Sequence, residues 1–190
     1  MHAGKRLCIT GIPTSGKSYL AKKLAEQIGG KAILLDDFRG ELSKNEHYNK
    51  WLNFYIDQNE KKYYTTTSPE NQWKNLVQQS EELWPGFLEY IHTFKDETKP
   101  VIFECVNLLP HLVQKDLSFP QIVLIGTSYA NTLSRIEKEH RWGTERYLHE
   151  LEACSFFINE RPHYKEEAQK FGLPFFESAD DAFETALKLV

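Results

Sequence analysis

Residues 11–18, Gly-Ile-Pro-Thr-Ser-Gly-Lys-Ser, constrain this chain more than any other segment. They fit GxxxxGK[ST] at all four fixed positions, which average composition would produce by chance in roughly one chain of this length in two hundred. The flanks lower that further. Leu7–Thr10 is an apolar run that reads as a strand ending at the loop. Ser18–Ile28 then sets Leu20, Ala21, Leu24, Ala25 and Ile28 at helical spacing, with Gly29-Gly30 as the stop. Strand, loop and helix in that order are the context the motif requires. Gly11 and Gly16 let the backbone of the Gly11-Ile12-Pro13-Thr14-Ser15-Gly16 loop curl so that successive N–H groups point inward, and the helix N-terminus adds its positive end. Such a cradle holds phosphate oxygens. Lys17 brings a mobile charge to the outer phosphates, Ser18 offers a hydroxyl to magnesium, and Tyr19 opens the helix beside them. Residues 11–19 are therefore the predicted nucleotide-binding set.

Further short apolar runs alternate with longer amphipathic stretches. Ala32–Leu35, Val101–Phe103, Gln121–Ile125 and Leu173–Phe176 read as four more strands. Helical patterns occupy Tyr129–His140, Thr144–Phe171 with a break near Pro162, and Asp180–Val190. Near-continuous apolar strands separated by helices predict an α/β fold, a parallel sheet covered on both faces. Residues 41–99 break the rhythm: they hold no convincing strand but many aromatics, among them Trp51, Trp73, Trp84, Tyr63, Tyr64 and Phe87. Helices are expected at Asn49–Gln58 and Gln72–Phe94, the second kinked at Pro85-Gly86, with Thr65–Pro69 as a loop between them. The aromatics fill a small core of their own, and the insertion is placed to wall a substrate site.

Two carboxylate positions fall at the strand ends that share an edge with the phosphate loop, where doubly wound sheets bind ligands. Asp36-Asp37 closes the second strand. Asp36 is the expected base for an attacking hydroxyl, and Asp37 is expected to help orient the acceptor or the metal. Glu104 ends the third strand and is expected to fix a magnesium-bound water. Arg135, Arg141 and Arg146 bracket the short connection Arg141-Trp142-Gly143-Thr144 and suit a lid, over residues 135–146, that stabilises a migrating phosphoryl group. They alternate with Glu137, Glu139 and Glu145, the pattern also of a solvated, salt-bridged surface. Arg39 follows the Asp pair closely enough to reach an anionic acceptor.

Composition narrows the partners. The net charge is -4, from 23 basic and 27 acidic residues in 190, so no basic bias points to nucleic acid. Three cysteines (Cys8, Cys105 and Cys154) are too few and too scattered for a disulfide framework or a zinc site. No apolar run approaches a membrane span or a secretory core. A cytoplasmic protein, monomer or homodimer, is expected.

With those residues placed, the chain resembles the P-loop kinases of small molecules and nucleotides: uridine kinase, gluconate kinase, adenylate kinase and their relatives. Asp36-Asp37-Phe38-Arg39 looks like the Asp-x-Phe-Tyr segment that carries the base in uridine-kinase-like enzymes. Phe103-Glu104-Cys105-Val106-Asn107-Leu108-Leu109-Pro110 is similar to a Glu-Gly-Val-His-Leu-x-Pro segment of 2-phosphoglycerate kinase-like proteins, with Cys105 for Gly and Asn107 for His. The resemblance implies a P-loop NTPase three-layer sandwich with five parallel strands in the order 2-3-1-4-5, one domain over residues 1–190, ATP as donor, and Mg²⁺. The activity implied is transfer of the γ-phosphoryl of ATP to a hydroxyl of a small molecule such as a nucleoside or sugar acid. A nucleoside monophosphate kinase and a non-catalytic ATP-binding sensor are the alternatives. A GTP switch is disfavoured, because Asn-Lys-x-Asp is missing and no Asp-x-x-Gly follows the third strand.

Overall fold

The structure is a computed structural model and describes residues 4–52, 54, 59–139 and 144–190. Five strands pair in parallel: β1 (Arg6–Gly11), β2 (Lys31–Leu34), β3 (Val101–Glu104), β4 (Gln121–Leu124) and β5 (Phe175–Phe176), in the order β2-β3-β1-β4-β5. This is the expected order. Parallel neighbours need a crossover between them, and the connections supply helices to both sheet faces.

Alternation along β1 shows how the layers are bound. Leu7 and Ile9 face one way, with Ile102, Ile122 and Leu124, onto α1 (Lys17–Ile28) and α10 (Ala179–Leu189) through Leu20, Leu24, Ala182 and Ala186. Cys8 faces the other way, with Val101, Phe103 and Val123, onto a larger core. That core holds Leu83, Phe87 and Ile91 of α5 (Pro69–His92), and Tyr164 and Ala168 of α9 (Arg161–Lys170). Each of these leucine, isoleucine or phenylalanine side chains contributes about 1.5–3 kcal/mol by leaving water.

The segment between β2 and β3 is helical, as expected: α2 (Arg39–Leu42), α3 (Glu46–Leu52), α4 (Glu60–Thr66) and α5. Two local expectations are corrected, over Thr65–Pro69 and over Asn49–Gln58. α5 runs as one helix through Pro85, where the kink was expected. Gly86 has a packing reason: a Cβ on it would lie 2.6 Å from Leu42 Cδ2 and 3.1 Å from the Tyr48 ring, so α2 and α3 come close to α5 at that point. Thr65 and Thr66 belong to α4, their hydroxyls donating back to the Lys61 and Lys62 carbonyls, so only Thr67 and Ser68 connect the helices. Ser68 then caps α5, accepting from Asn71 N–H, with Pro69 in the first turn. The helix expected over Asn49–Gln58 begins earlier, at Glu46; residues 53 and 55–58 lie outside the described residues.

After β3 comes a short helix that no periodicity announced, α6 (Pro110–Asp116), then β4 and α7 (Tyr129–Glu139). The long helical pattern over Thr144–Phe171 resolves into α8 (Arg146–Ala153), a π-helical stretch over Cys154–Glu160, and α9 with Pro162 in its first turn. Pro162 follows directly on the π-helical stretch, where the regular i→i−4 ladder that a proline would break is already displaced.

Candidate active site

Strand register brings the site together. Ile9 and Leu34 both lie level with Glu104, so the ends of β1, β3 and β2 reach one edge of the sheet. Gly11 ends β1 two residues beyond Ile9, with φ +130°, and a Cβ there would lie 1.9 Å from the Leu124 carbonyl oxygen. Only glycine lets β1 pass β4 so closely and turn into the loop. Gly16 caps α1 in the left-handed conformation, and Ser15 Oγ donates to Ile12 O at 2.8 Å. Lys17 is buried, with Nζ donating to Ile12 O at 2.9 Å and lying 3.9 Å from Glu104 Oε1. Its ammonium is thereby folded back against the loop it serves.

Glu104 is buried and accepts from Ser18 Oγ at 2.8 Å on Oε2. Burial pushes its carboxyl above the usual range, against the pull of Lys17 and the Ser18 hydroxyl, while Asp36 and Asp37 add to the rise. A hydroxyl and a carboxylate side by side are hard oxygen donors. Among the described residues no group of three or more His, Cys, Asp or Glu side chains could hold a metal by themselves. The set therefore fits magnesium, which keeps several waters and takes much of its shell from substrate phosphates. Ser18 and Glu104 are the residues that would hold it.

β2 does not run on to Leu35; residues Leu35–Phe38 form a 3₁₀ turn, which carries Asp36 at the cleft edge. Asp36 Oδ1 accepts from Arg39 Nε at 2.7 Å and lies 3.6 Å from Cys105 Sγ. Partial burial would raise the Asp36 carboxyl, but the Arg39 guanidinium, with help from Lys17, holds it below the usual range. Burial drives the Cys105 thiol well up, and Asp36 adds to it, so Cys105 stays a neutral thiol and a packing residue. Arg39 Nη2 donates in turn to Asn107 Oδ1 at 2.7 Å.

These groups open into one cleft of about 830 Å³. Its floor holds Lys17, Ser18, Asp36, Arg39 and Glu104. On one side lie Tyr19, Arg135 and the start of α10 at Ser178–Asp180. On the other lie Leu52, Tyr63, Tyr64, Gln72, Leu76 and Gln79 of the helical insertion, with Ser155, Phe156 and Glu160 of the π-helical stretch. Arg135 Nη1 donates to the Thr14 carbonyl at 2.5 Å, so α7 closes over the phosphate loop.

Of the predicted residues, the phosphate loop, Tyr19, Asp36, Arg39, Glu104 and Arg135 converge. Asp37 is exposed and is not among the residues lining the cleft, where an acceptor or metal contact was expected of it, though Glu104 feels its charge. Arg146 is corrected as well: its side chain is 75% exposed and pairs along α8 with Glu150 at 2.9 Å, the salt-bridged surface that its acidic neighbours suggested. Arg141 lies outside the described residues. Sequence reasoning gave no role to Gln72, Gln79 and Glu160, which line the cleft, and noted Asn107 only as standing for a histidine in the resembling segment. Gln72 and Gln79 do carry a signal, two carboxamides two turns apart on an otherwise apolar stripe with Leu76 and Leu83.

No family model matches the sequence, and no curated protein matches it. Solved structures do. Shikimate kinase from Acinetobacter baumannii, in complex with shikimate, is similar at TM-score 0.56 and 14% identity over 99% of this chain and 93% of that one. The Thermus thermophilus protein TT1252 is similar at TM-score 0.57 and 19% identity, covering 99% of this chain and 96% of its own. The chain shares the fold of these structures. The cleft described above occupies that fold's ligand edge, outside the carboxyl ends of the strands.

Proposed function

We propose that the chain is an ATP-dependent kinase that phosphorylates a hydroxyl of a small molecule. The observation that carries this reading is the shared cleft: a phosphate loop with its lysine and an ionised carboxylate line the same cavity, next to a wall of insertion side chains. ATP would lay its outer phosphates in the Gly11–Ser18 loop, with its remainder toward Tyr19, Arg135 and Ser178–Asp180. The acceptor would lie against Tyr63, Tyr64, Leu76 and Gln79. In the reaction the acceptor oxygen bonds to the γ-phosphorus, the bond from phosphorus to the bridging oxygen breaks, and ADP leaves with that electron pair. The hydroxyl proton passes to Asp36. Lys17 offsets charge on the migrating group, and Arg135 stands at the loop's outer side as the lid cation. Ser18, and Glu104 through a water, would hold magnesium, which would supply charge neutralisation at the phosphates.

Residues 41–99 serve in this reading as the acceptor wall of a single domain spanning residues 1–190, with Arg135 of α7 on its lid side. A closed wall matters because water admitted beside the γ-phosphate would compete with the acceptor. Phosphorus-31 NMR of the protein with magnesium-ATP and a panel of nucleosides, sugars, polyols and hydroxy acids tests the proposal. A new phosphomonoester is the expected product, and a nucleoside diphosphate formed from an added monophosphate would overturn it. Asp36→Asn should lower phosphomonoester formation by about two to four orders of magnitude, as expected for a lost general base, while leaving ATP binding near wild type.

A further inference from the structure

Beneath the acceptor side of the cleft lies a residue that the proposed chemistry does not use. Asn107 is fully buried, and so is Ser80, while Gln79 is nearly so. Asn107 spends its whole carboxamide on four partners. Oδ1 accepts from Arg39 Nη2 at 2.7 Å and from the Cys105 thiol at 3.5 Å, and Nδ2 donates to Ser80 Oγ at 2.9 Å and more weakly to Gln79 Oε1 at 3.4 Å. Gln79 Nε2 donates onward to the Trp51 carbonyl at 2.8 Å. Four elements therefore meet through one side chain: the 3₁₀ turn with Asp36, α2 with Arg39, α3 with Trp51 and α5 with Ser80 and Gln79.

The geometry at Arg39 gives this junction its consequence. A guanidinium bonded at one corner swings about its side-chain torsions, whereas one held at Nε by Asp36 and at Nη2 by Asn107 has its plane fixed. Both side-chain contacts of Asp36 fall on Oδ1, and the residue lines the cleft. We propose that Asn107 is a positioning residue: it fixes the plane of Arg39, and through Arg39 it orients Asp36 while tying that pair to the acceptor wall on α5. This rests on the reading of Asp36 as the base, and it adds that base and acceptor wall are held in common register by one buried amide.

A purely structural Asn107 and a positioning one order the same variants differently. Asn107→Leu fills the space without polar atoms and loses the acceptor for Arg39. Asn107→Asp keeps that acceptor but buries a charge, and the Ser80 hydroxyl can turn to donate to it. A packing role makes the leucine variant the milder in every measurement. Positioning predicts that stability and function separate, with leucine the more stable and aspartate the more active.

The first measurement uses the free protein, with no substrate. In ¹⁵N–¹H spectra Arg39, assigned by its loss in Arg39→Lys, should show a protected Nε–H and separate Nη groups. Asn107→Asp should retain them, and Asn107→Leu should average them. The second is the initial rate with magnesium-ATP and the same acceptor panel. Asn107→Leu should lose about a hundredfold, the scale of an ångström's misplacement, with ATP affinity unchanged, and Asn107→Asp should recover most of that loss. An unchanged Arg39 spectrum in a folded Asn107→Leu protein, or a rate within a factor of two of wild type, would overturn the proposal. Full turnover in Asp36→Asn would instead remove the base reading, and the Arg39 spectrum would still decide whether Asn107 fixes the guanidinium.

Discussion

A carboxylate that must take a proton late in a reaction has to be ionised beforehand, and Asp36 is kept so by its neighbour. Arg39 lowers its carboxyl relative to an unfolded chain. In the window between the folded value and the ordinary carboxylate value, the unfolded chain binds more protons, so this contribution to stability is present above the window and is lost as pH falls through it. Thermal melts of wild type and Asp36→Asn should therefore differ most near neutrality and converge in acid. Glu104 runs the opposite way, because burial raises it. Its contribution weakens as pH rises from the ordinary value to the folded one, and Glu104→Gln should flatten that part of the profile. The residues behind these effects were unequally legible. Glycines and a lysine at fixed spacing announce a phosphate cradle because its chemistry is local. Asn107 gives no such sign: its partners Arg39 and Ser80 lie 68 and 27 residues away in sequence, and only the fold makes them neighbours.

At the scale of elements, the insertion depends on α5 lying close to α2 and α3. Gly86→Ala would place a methyl against Leu42, whose side-chain end can shift, and against the Tyr48 ring, which has less room to do so. Such overpacking should cost about 1–3 kcal/mol in denaturant unfolding, with the phosphate loop undisturbed and nucleotide affinity near wild type. Elements with a strong period were readable from composition alone, which is why the five strands, α1 and α10 fall within a residue or two of expectation. α6 was not, because seven residues beginning at a proline offer less than two turns of pattern. The 3₁₀ turn under Asp36 was hidden too, since Leu35 reads as the strand's last apolar residue while the chain has already begun to curl. At position 85 a proline stands inside α5, where tertiary packing on both sides holds a helix that local propensity would interrupt.

Taken whole, the molecule places its cleft where three strand ends, the insertion and α7 meet, so a ligand there touches most of the fold and should stabilise it. A non-hydrolysable ATP analogue with magnesium, at a hundredfold excess over its Kd, is expected to add about 2.7 kcal/mol. For a chain of this size that is a rise of about 5–11 °C in Tm, at roughly 2–4 °C per kcal/mol. Lys17→Ala should remove most of that rise, and an unchanged Tm for wild type would argue against nucleotide in the loop. The sheet's rims carry a separate consequence. β2, on one border, has four residues and starts with Lys31, whose ammonium is bound to Glu97, while β5 on the other has only two. Neither border offers the length of open backbone that a foreign strand needs to zip on. Crowded copies of this protein should therefore resist fibril growth by edge pairing.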